Sequence, residues 1–522
     1  MGRVTLLDCT LRDGGYVNDW QFGEEAIKGT ANKIAKTGVE FFEIGFIKNE
    51  PFSKGRAVFP DIESISQFIP HKSADMKYVG MIDCGNPVPI EKIIPFNGKS
   101  VDGIRVIFKK DKRDFAFDYC KQIQEKGYLL FVQFVGTDSY SDIEFVETIN
   151  RFNELNPYAM SIVDTFGTIK RKAFLRMVYL ADNNMKPEIV LGYNAHNNLQ
   201  QAFGNAQTLV ELNLKREVCI DACVFGMGRG AGNLNLELFA DYMNENYGTD
   251  YKIEPMLEIM DDYLQESYNK RFWGYCLPYY LSATNNCHPN YAIYYAEKQT
   301  LTEKSFNELL KSIPAENKRS YSKDKAEKYY EEYMSSFYDD RLDIQKLTAQ
   351  LNGKDILLLA PGNSINKEEE AVNKIIESAK PVIVAINCSP ENYKLDYIFS
   401  SNIRRYAKLE NAEARKIITS NVKDTKIYDY MLNFSSYTLS DSDIIDNSGL
   451  MFLKFLASID VKSVFIAGMD GYSKEQNYFD TTLDYEFSHI ENRNQLIQKN
   501  ITELCKLLKI NFVTTSIYKV HK

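Results

Sequence analysis

Arg12 and Asp13 stand side by side and are followed by Gly14 and Gly15. Taken alone, a guanidinium next to a carboxylate in a glycine turn is the pattern of a surface ion pair. Far along the chain, Asn194-Ala195-His196-Asn197-Asn198 places a histidine in a polar cluster, in a sequence with only five histidines. A carboxylate and an imidazole from separate segments are donors that a divalent cation takes, with positions left open for substrate. Asp13 and His196 are therefore candidate metal ligands. Asn194, two residues before His196, points the same way if a strand runs that far.

These residues act together only if the chain brings them to one place. Eight apolar, β-prone runs recur up to about residue 245: Val4–Leu7, Phe41–Gly45, Tyr78–Ile82, Gly103–Phe108, Leu129–Val135, Ala159–Val163, Ile189–Tyr193 and Val218–Val224. Amphipathic stretches such as Glu24–Thr37, Asp114–Lys126, Ile143–Leu155, Lys172–Asn183 and Leu199–Leu212 lie between them. That alternation predicts βα units of a parallel sheet, and eight units in this length predict a (β/α)8 TIM barrel. A doubly wound open sheet is the alternative, but no GxGxxG follows the first run. Closure places polar residues at one rim: Arg12 and Asp13 after strand 1, Glu43 in strand 2, Asp83 at the end of strand 3. Arg105 follows in strand 4, Gln133 in strand 5, Asp164 at the end of strand 6, His196 at the end of strand 7 and Asn233 in the loop after strand 8. On position alone, Arg105, Asp164 and Asn233 are candidates for substrate binding.

Residues 246–350 change character: tyrosines become dense and charged helical stretches appear, such as Lys323–Phe337. This reads as a helical extension. Within it, Cys287-His288-Pro289-Asn290-Tyr291 is either a helix-breaking turn or a segment that reaches the barrel mouth. Residues 351–522 read as a second, Rossmann-like α/β domain, with buried-type strands at Ile356–Ala360, Val382–Ile386 and Ser463–Ala467. The Pro361-Gly362-Asn363-Ser364 turn is either an ordinary strand-to-helix turn or a phosphate-binding one.

Composition narrows the classes. The 522 residues carry a net charge of −9, which argues against nucleic acid or an anionic membrane as a general partner. No run approaches the roughly 20 apolar residues of a membrane span, and no signal-peptide pattern opens the chain. A cytoplasmic protein is expected. The nine cysteines include no CxxC pair, so buried free thiols are expected rather than disulfides or a zinc ribbon.

Leu7-Asp8-Cys9-Thr10-Leu11-Arg12-Asp13-Gly14-Gly15, the Asn194–Leu199 segment and Gly226–Asn233 together resemble the DRE-TIM metallolyase superfamily, in its 4-hydroxy-2-oxovalerate aldolase-like branch, over about residues 1–300. The resemblance implies a carbon–carbon lyase or aldolase acting on an α-keto acid through a pyruvate-type enolate. It implies Mn²⁺ or Mg²⁺ held by Asp13 and His196, and Arg12 stabilising the enolate oxygen. Two positions depart from the family pattern. Asn194 stands where the first histidine of His-x-His is expected, and Tyr16 where a histidine acid/base is expected. A phenol with an ordinary pKa near 10 is a poor base at neutral pH, so the role is open to Tyr16 as an acid, to Tyr291 or to His288. The implied partners are an α-keto acid and an aldehyde or acyl substrate, with a homo-oligomer allowed. An acyl-CoA-dependent Claisen-type synthase is the nearest rival. Residues 351–522 resemble, more faintly, sialyltransferase-type domains of surface-glycan biosynthesis, through Ala360–Ser364, Ala385–Asn387 and Ile466–Gly471. That resemblance implies the making or attaching of an unusual sugar or acyl group; the departures at Asn194 and Tyr16 favour a third reading, a non-catalytic barrel scaffold with the principal activity, nucleotide-sugar transfer, in residues 351–522.

Overall fold

The computed structural model describes residues 2–69, 72–335, 338–423, 425–441, 443–474, 477–480, 482 and 489–519. His71, Phe337 and His521 lie outside the described residues. The chain forms two compact units, Met1–Ala292 and Ile293–Lys522, and the boundary falls inside the stretch read from sequence as a helical extension.

The first unit is a closed barrel of eight parallel strands: β1 Val4–Asp8, β2 Phe41–Ile47, β3 Lys77–Asp83, β4 Gly103–Phe108, β5 Leu129–Phe134, β6 Ala159–Asp164, β7 Val190–Ala195 and β8 Val218–Ala222. The order runs β1-β8-β7-β6-β5-β4-β3-β2, and β1 pairs with β2 in parallel, Leu7 opposite Phe41, to close it. Strands covered on both faces read as near-continuous apolar runs. All seven residues of β2 are buried, including Glu43. Helices follow most strands. That at Asp142–Asn153 starts with a capping box, in which the Ser141 hydroxyl accepts from Glu144 N–H and the Glu144 carboxylate accepts from Ser141 N–H, satisfying two otherwise orphaned donors. The units after β2 and β3 carry short helical turns, Ile62–Ile65 with Ser66–Phe68 and Ile90–Lys92, in place of a long helix.

Gly14 and Gly15 are needed for room. Neither has a positive φ. A Cβ on Gly15 would fall 2.0 Å from Trp20 Cδ1, and one on Gly14 3.0 Å from Met227. The Trp20 indole N–H donates to the Arg12 carbonyl at 2.7 Å. The bulky ring can therefore lie directly against the turn that presents Arg12 and Asp13.

The second unit holds a seven-stranded, all-parallel sheet: β9 Asp355–Leu359, β10 Val382–Ile386, β11 Tyr397–Ser400, β12 Arg415–Thr419, β13 Tyr430–Leu432, β14 Ser463–Ala467 and β15 Ile510–Phe512. Its order is β13-β12-β11-β10-β9-β14-β15. All nine cysteines are free thiols and seven of them are buried. Among the described residues, no helix is long and apolar enough to cross a membrane.

Candidate active site

Two features of the sequence bring charge into the barrel. The turn after β1 supplies Arg12 and Asp13, whose N–H groups both donate to the Cys9 carbonyl. Strands β2, β4 and β8 each carry one charged side chain, Glu43, Arg105 and Asp221, within an otherwise apolar run. All five charged side chains are buried. A charge taken out of water must be paired and hydrogen-bonded, and here the pairing closes into a ring. Arg12 Nε meets Glu43 Oε2 at 2.7 Å, and Arg105 Nη1 meets the same oxygen at 2.9 Å. Arg105 also pairs with Asp221. Asn194 Nδ2 donates to Asp221 Oδ2 at 3.0 Å and to Asp13 Oδ2 at 3.3 Å. Arg12 Nη1 returns to Asp13 Oδ2 at 2.9 Å. Two guanidiniums therefore face three carboxylates, leaving one formal negative charge when all are ionised.

His196 lies just past the end of β7. Its Nδ1 is 2.9 Å from the Asp164 carbonyl, which accepts a hydrogen bond from Nδ1–H and leaves the Nε2 lone pair outward in the neutral ring. Nε2 lies 3.4 Å from Asp13 Oδ1, and both atoms are buried without a hydrogen-bond partner. Two acceptors facing each other in a dry site need a cation or a proton between them. Asn233 Oδ1 is likewise buried and without a partner, while its Nδ2 donates to the Met227 carbonyl at 2.9 Å. A backbone bridge links His196 to Asn233. Burial works against charge on Asp13, yet the Arg12 guanidinium beside it holds its carboxyl below the usual carboxylate range. The residues present therefore suit a divalent cation: an ionised carboxylate and an imidazole with free lone pairs, and amide oxygen nearby. Among the described residues, no cluster of three or more His, Cys, Asp or Glu side chains has metal-holding geometry, so an amide or water would have to complete such a site.

The other residues singled out from sequence occupy different places. Arg105 is only 1% exposed and is engaged by Glu43 and Asp221. The Asp164 carboxylate accepts from the Thr168 and Ile169 N–H groups at 2.8 and 3.0 Å, so it shapes its own loop, and burial raises it to about 7. Its carbonyl, rather than its carboxylate, meets His196. Tyr16 packs edge-on against Trp20, with the Arg229 guanidinium 4.9 Å above its ring. Burial pushes the Tyr16 phenol above its ordinary value, although Arg229 pulls the other way, which disfavours a phenolate base and leaves a proton donor. Tyr291 is fully buried in the helix Pro289–Lys298.

His288 stacks edge-on against Phe166, two residues past β6. Burial, then Arg229 and Lys109, push it down to about 3. Arg229 follows β8 and Lys109 follows β4, so the Cys287–Tyr291 interruption reaches the rim of the barrel. The Asn290 N–H donates to His288 Nδ1 at 3.1 Å, which leaves the ring proton on Nε2. Sequence reading passed over Asp221 and gave Arg229 no role. The signal for Asp221 was available: it is the one charged residue in the run Val218–Val224. Nothing in the sequence singled out Arg229 from its glycine-rich loop.

Residues 95–261 match the HMGL-like family model. A 4-hydroxy-2-oxovalerate aldolase of Desulfitobacterium hafniense is 26% identical over 277 residues, covering 51% of this chain and 79% of that protein. An oxaloacetate decarboxylase of Mycobacterium tuberculosis is 23% identical over 235 residues, covering 44% of this chain and 67% of that protein. Among solved structures, the HMG-CoA lyase of Brucella melitensis is similar with 13% identity and a TM-score of 0.39, over 50% of this chain and 96% of that one.

Proposed function

We propose, for a barrel that belongs to the aldolase-like branch of the DRE-TIM superfamily, a divalent-metal-dependent carbon–carbon lyase acting on an α-keto acid. The names of two relatives, 4-hydroxy-2-oxovalerate aldolase and oxaloacetate decarboxylase, share one chemical step. Breaking the C3–C4 bond of either named substrate leaves the electron pair on the pyruvate fragment as an enolate. The C4 fragment departs as an aldehyde in the first case and as carbon dioxide in the second.

The observation that carries this reading is the pair of buried acceptors, Asp13 Oδ1 and His196 Nε2, 3.4 Å apart. Asp13 and His196 would hold the ion, with Asn233 or Asn194 contributing amide oxygen. Asn194 would need its amide turned over, since its nitrogen now faces two carboxylates. When bound, a divalent cation supplies a Lewis acid for the oxygens of a keto acid. Arg12, anchored by Glu43 and Asp13, presents a fixed positive charge beside the oxygen on which the enolate develops, at no reorganisation cost. Tyr16 is suited to deliver a proton to C3 of the enolate. His288, neutral at physiological pH and carrying its proton on Nε2, is suited to hydrogen-bond the oxygen at C4; in the aldehyde-forming cleavage the C4 hydroxyl proton leaves to solvent water, and in the decarboxylation no proton has to leave.

The test is proton NMR of pyruvate in D₂O with the purified chain and Mg²⁺. The expected result is loss of the methyl signal that needs both protein and metal and disappears in Asp13→Asn. Exchange that survives Asp13→Asn would overturn the assignment.

A further inference from the structure

We propose that the second unit carries a ligand site of its own, a cleft for the phosphate ester of a hydroxyl-rich molecule such as a nucleotide or a sugar phosphate. In the sheet order, the chain leaves central β9 in one direction through β10 and β11 and returns on its other side as β14. At such a switch point the loops leaving adjacent strands part in opposite directions, and the crevice beyond the carboxyl ends is where open α/β sheets take ligands. A cleft lies there, lined by residues directly after β9, β10 and β14, including Gly362, Asn387 and Gly468. Its floor is firmly built. Gly362 N–H donates to the Gly468 carbonyl at 2.8 Å, and Asp470 accepts from Ser364 N–H at 2.8 Å and from its hydroxyl.

The chemistry of the lining selects the ligand. Three cations border the cleft, Lys298, Arg405 and Arg493. Arg405 is 8% exposed, its guanidinium 4.7 Å over the Tyr478 ring. Lys298 is desolvated, so burial lowers its pKa even though Asp446 and Glu327 pull upward, and an arriving dianion would restore the preference for its charged form. Three carboxylates, Asp443, Asp446 and Asp470, line the same cleft, so a bare polyanion is a poor match. Each already accepts from the protein: Asp443 from Asn492 at 2.7 Å, Asp446 from Tyr330 at 2.8 Å, and Asp470 from Ser364. A carboxylate oxygen can accept a second donor, and the donor that fits beside a bound phosphate is a neutral hydroxyl. Cations for the phosphate and carboxylates for ribose or sugar hydroxyls form one consistent demand.

Isothermal titration of the full chain with CMP, UMP, UDP, glucose 6-phosphate, inorganic phosphate and the unphosphorylated nucleosides tests this. The expected result is saturable binding of at least one phosphate ester, with at least tenfold weaker binding of its unphosphorylated form and of inorganic phosphate. Arg493→Gln and Arg405→Gln should each weaken that binding tenfold or more, with folding checked by circular dichroism. Asp13→Asn in the barrel should leave it unchanged. The proposal is overturned if no ester binds the wild-type chain, if inorganic phosphate binds as tightly as the esters, or if both arginine variants bind like wild type. If Arg405→Gln does not fold, Arg493→Gln and Lys298→Gln decide the outcome.

Discussion

The barrel centre and the C-terminal cleft both lie at the carboxyl edge of parallel strands, yet they acquire their charges differently. In the barrel, three of the five paired charges, Glu43, Arg105 and Asp221, sit within strands and point into the closed interior. Along the cleft, Lys298, Arg405, Asp443, Asp446, Asp470 and Arg493 all lie outside the strands, in loops and helices. A closed sheet has an interior, and charges placed there must satisfy one another, which fixes them in one arrangement. An open sheet has only faces and an edge, so its charges arrive from flanking segments. The barrel site is therefore built for positioning, and the cleft for selecting a ligand by its charge pattern.

The largest test of that contrast is Asp13→Asn. It removes the carboxylate that joins the ring to His196. Metal-dependent exchange of pyruvate methyl protons should fall by at least about 100-fold, the scale for losing a principal electrostatic group. Next is Glu43→Gln. Glu43 is fully buried and serves both Arg12 and Arg105 through one oxygen. Removing one partner of a buried charge cluster typically costs about 3–5 kcal/mol, which urea denaturation of the chain would measure. Arg493, half-buried along the cleft, belongs to no such closed ring, so Arg493→Gln should cost clearly less stability than Glu43→Gln. Equal losses at the two sites would break the comparison.

The contrast also explains how much was legible. Strand β4 is read from sequence with the same limits, because its apolar run is bounded by polar turns. The barrel follows from eight such runs. Arg12, Asp13, Asn194 and His196 were singled out by type and setting, and the structure brings their side chains within 3.4 Å of one another in sequence around the site. Asp221 lies between Ile220 and Ala222 inside an apolar strand, and only closure of the barrel brings it against Arg105. Gly14 and Gly15 read from sequence as a sharp turn, whereas Trp20 needs the space their missing Cβ leaves. That demand comes from a ring later in the chain and has no local signature. The cleft was legible only as a glycine turn, since its cations are spread from residue 298 to residue 493 and only the fold gathers them.

A sharper question is what Asn194 does for the ring. Its amide nitrogen bridges Asp13 and Asp221, so it acts now as a spacer between two carboxylates. Asn194→His would put an imidazole there. Mn²⁺ affinity, read by isothermal titration, should rise by about tenfold, the scale on which ligand-sphere changes act. Unchanged affinity would mean that the ring, rather than the ion, dictates this position.

The smallest effect concerns a carboxyl outside the ring. Asp8, at the end of β1, accepts from Thr10, whose N–H and hydroxyl donate at 3.2 and 2.6 Å. Burial raises it from 3.8 to about 7, against those hydrogen bonds, whereas Asp13 in the ring is held low. The folded state therefore keeps a proton on Asp8 that the unfolded chain releases above its ordinary value. That contribution to stability is complete below about pH 4 and is lost as the pH rises through about 7. Asp164 is raised to about 7 as well and adds to the same window. Asp8→Asn removes one of the two titrations, so the melting temperature of the variant should fall less than that of the wild type between pH 4 and pH 7, by a few degrees. An unchanged pH profile would mean that the Thr10 donors already hold Asp8 ionised, as Arg12 does for Asp13, and that the ring has no special claim on buried charge.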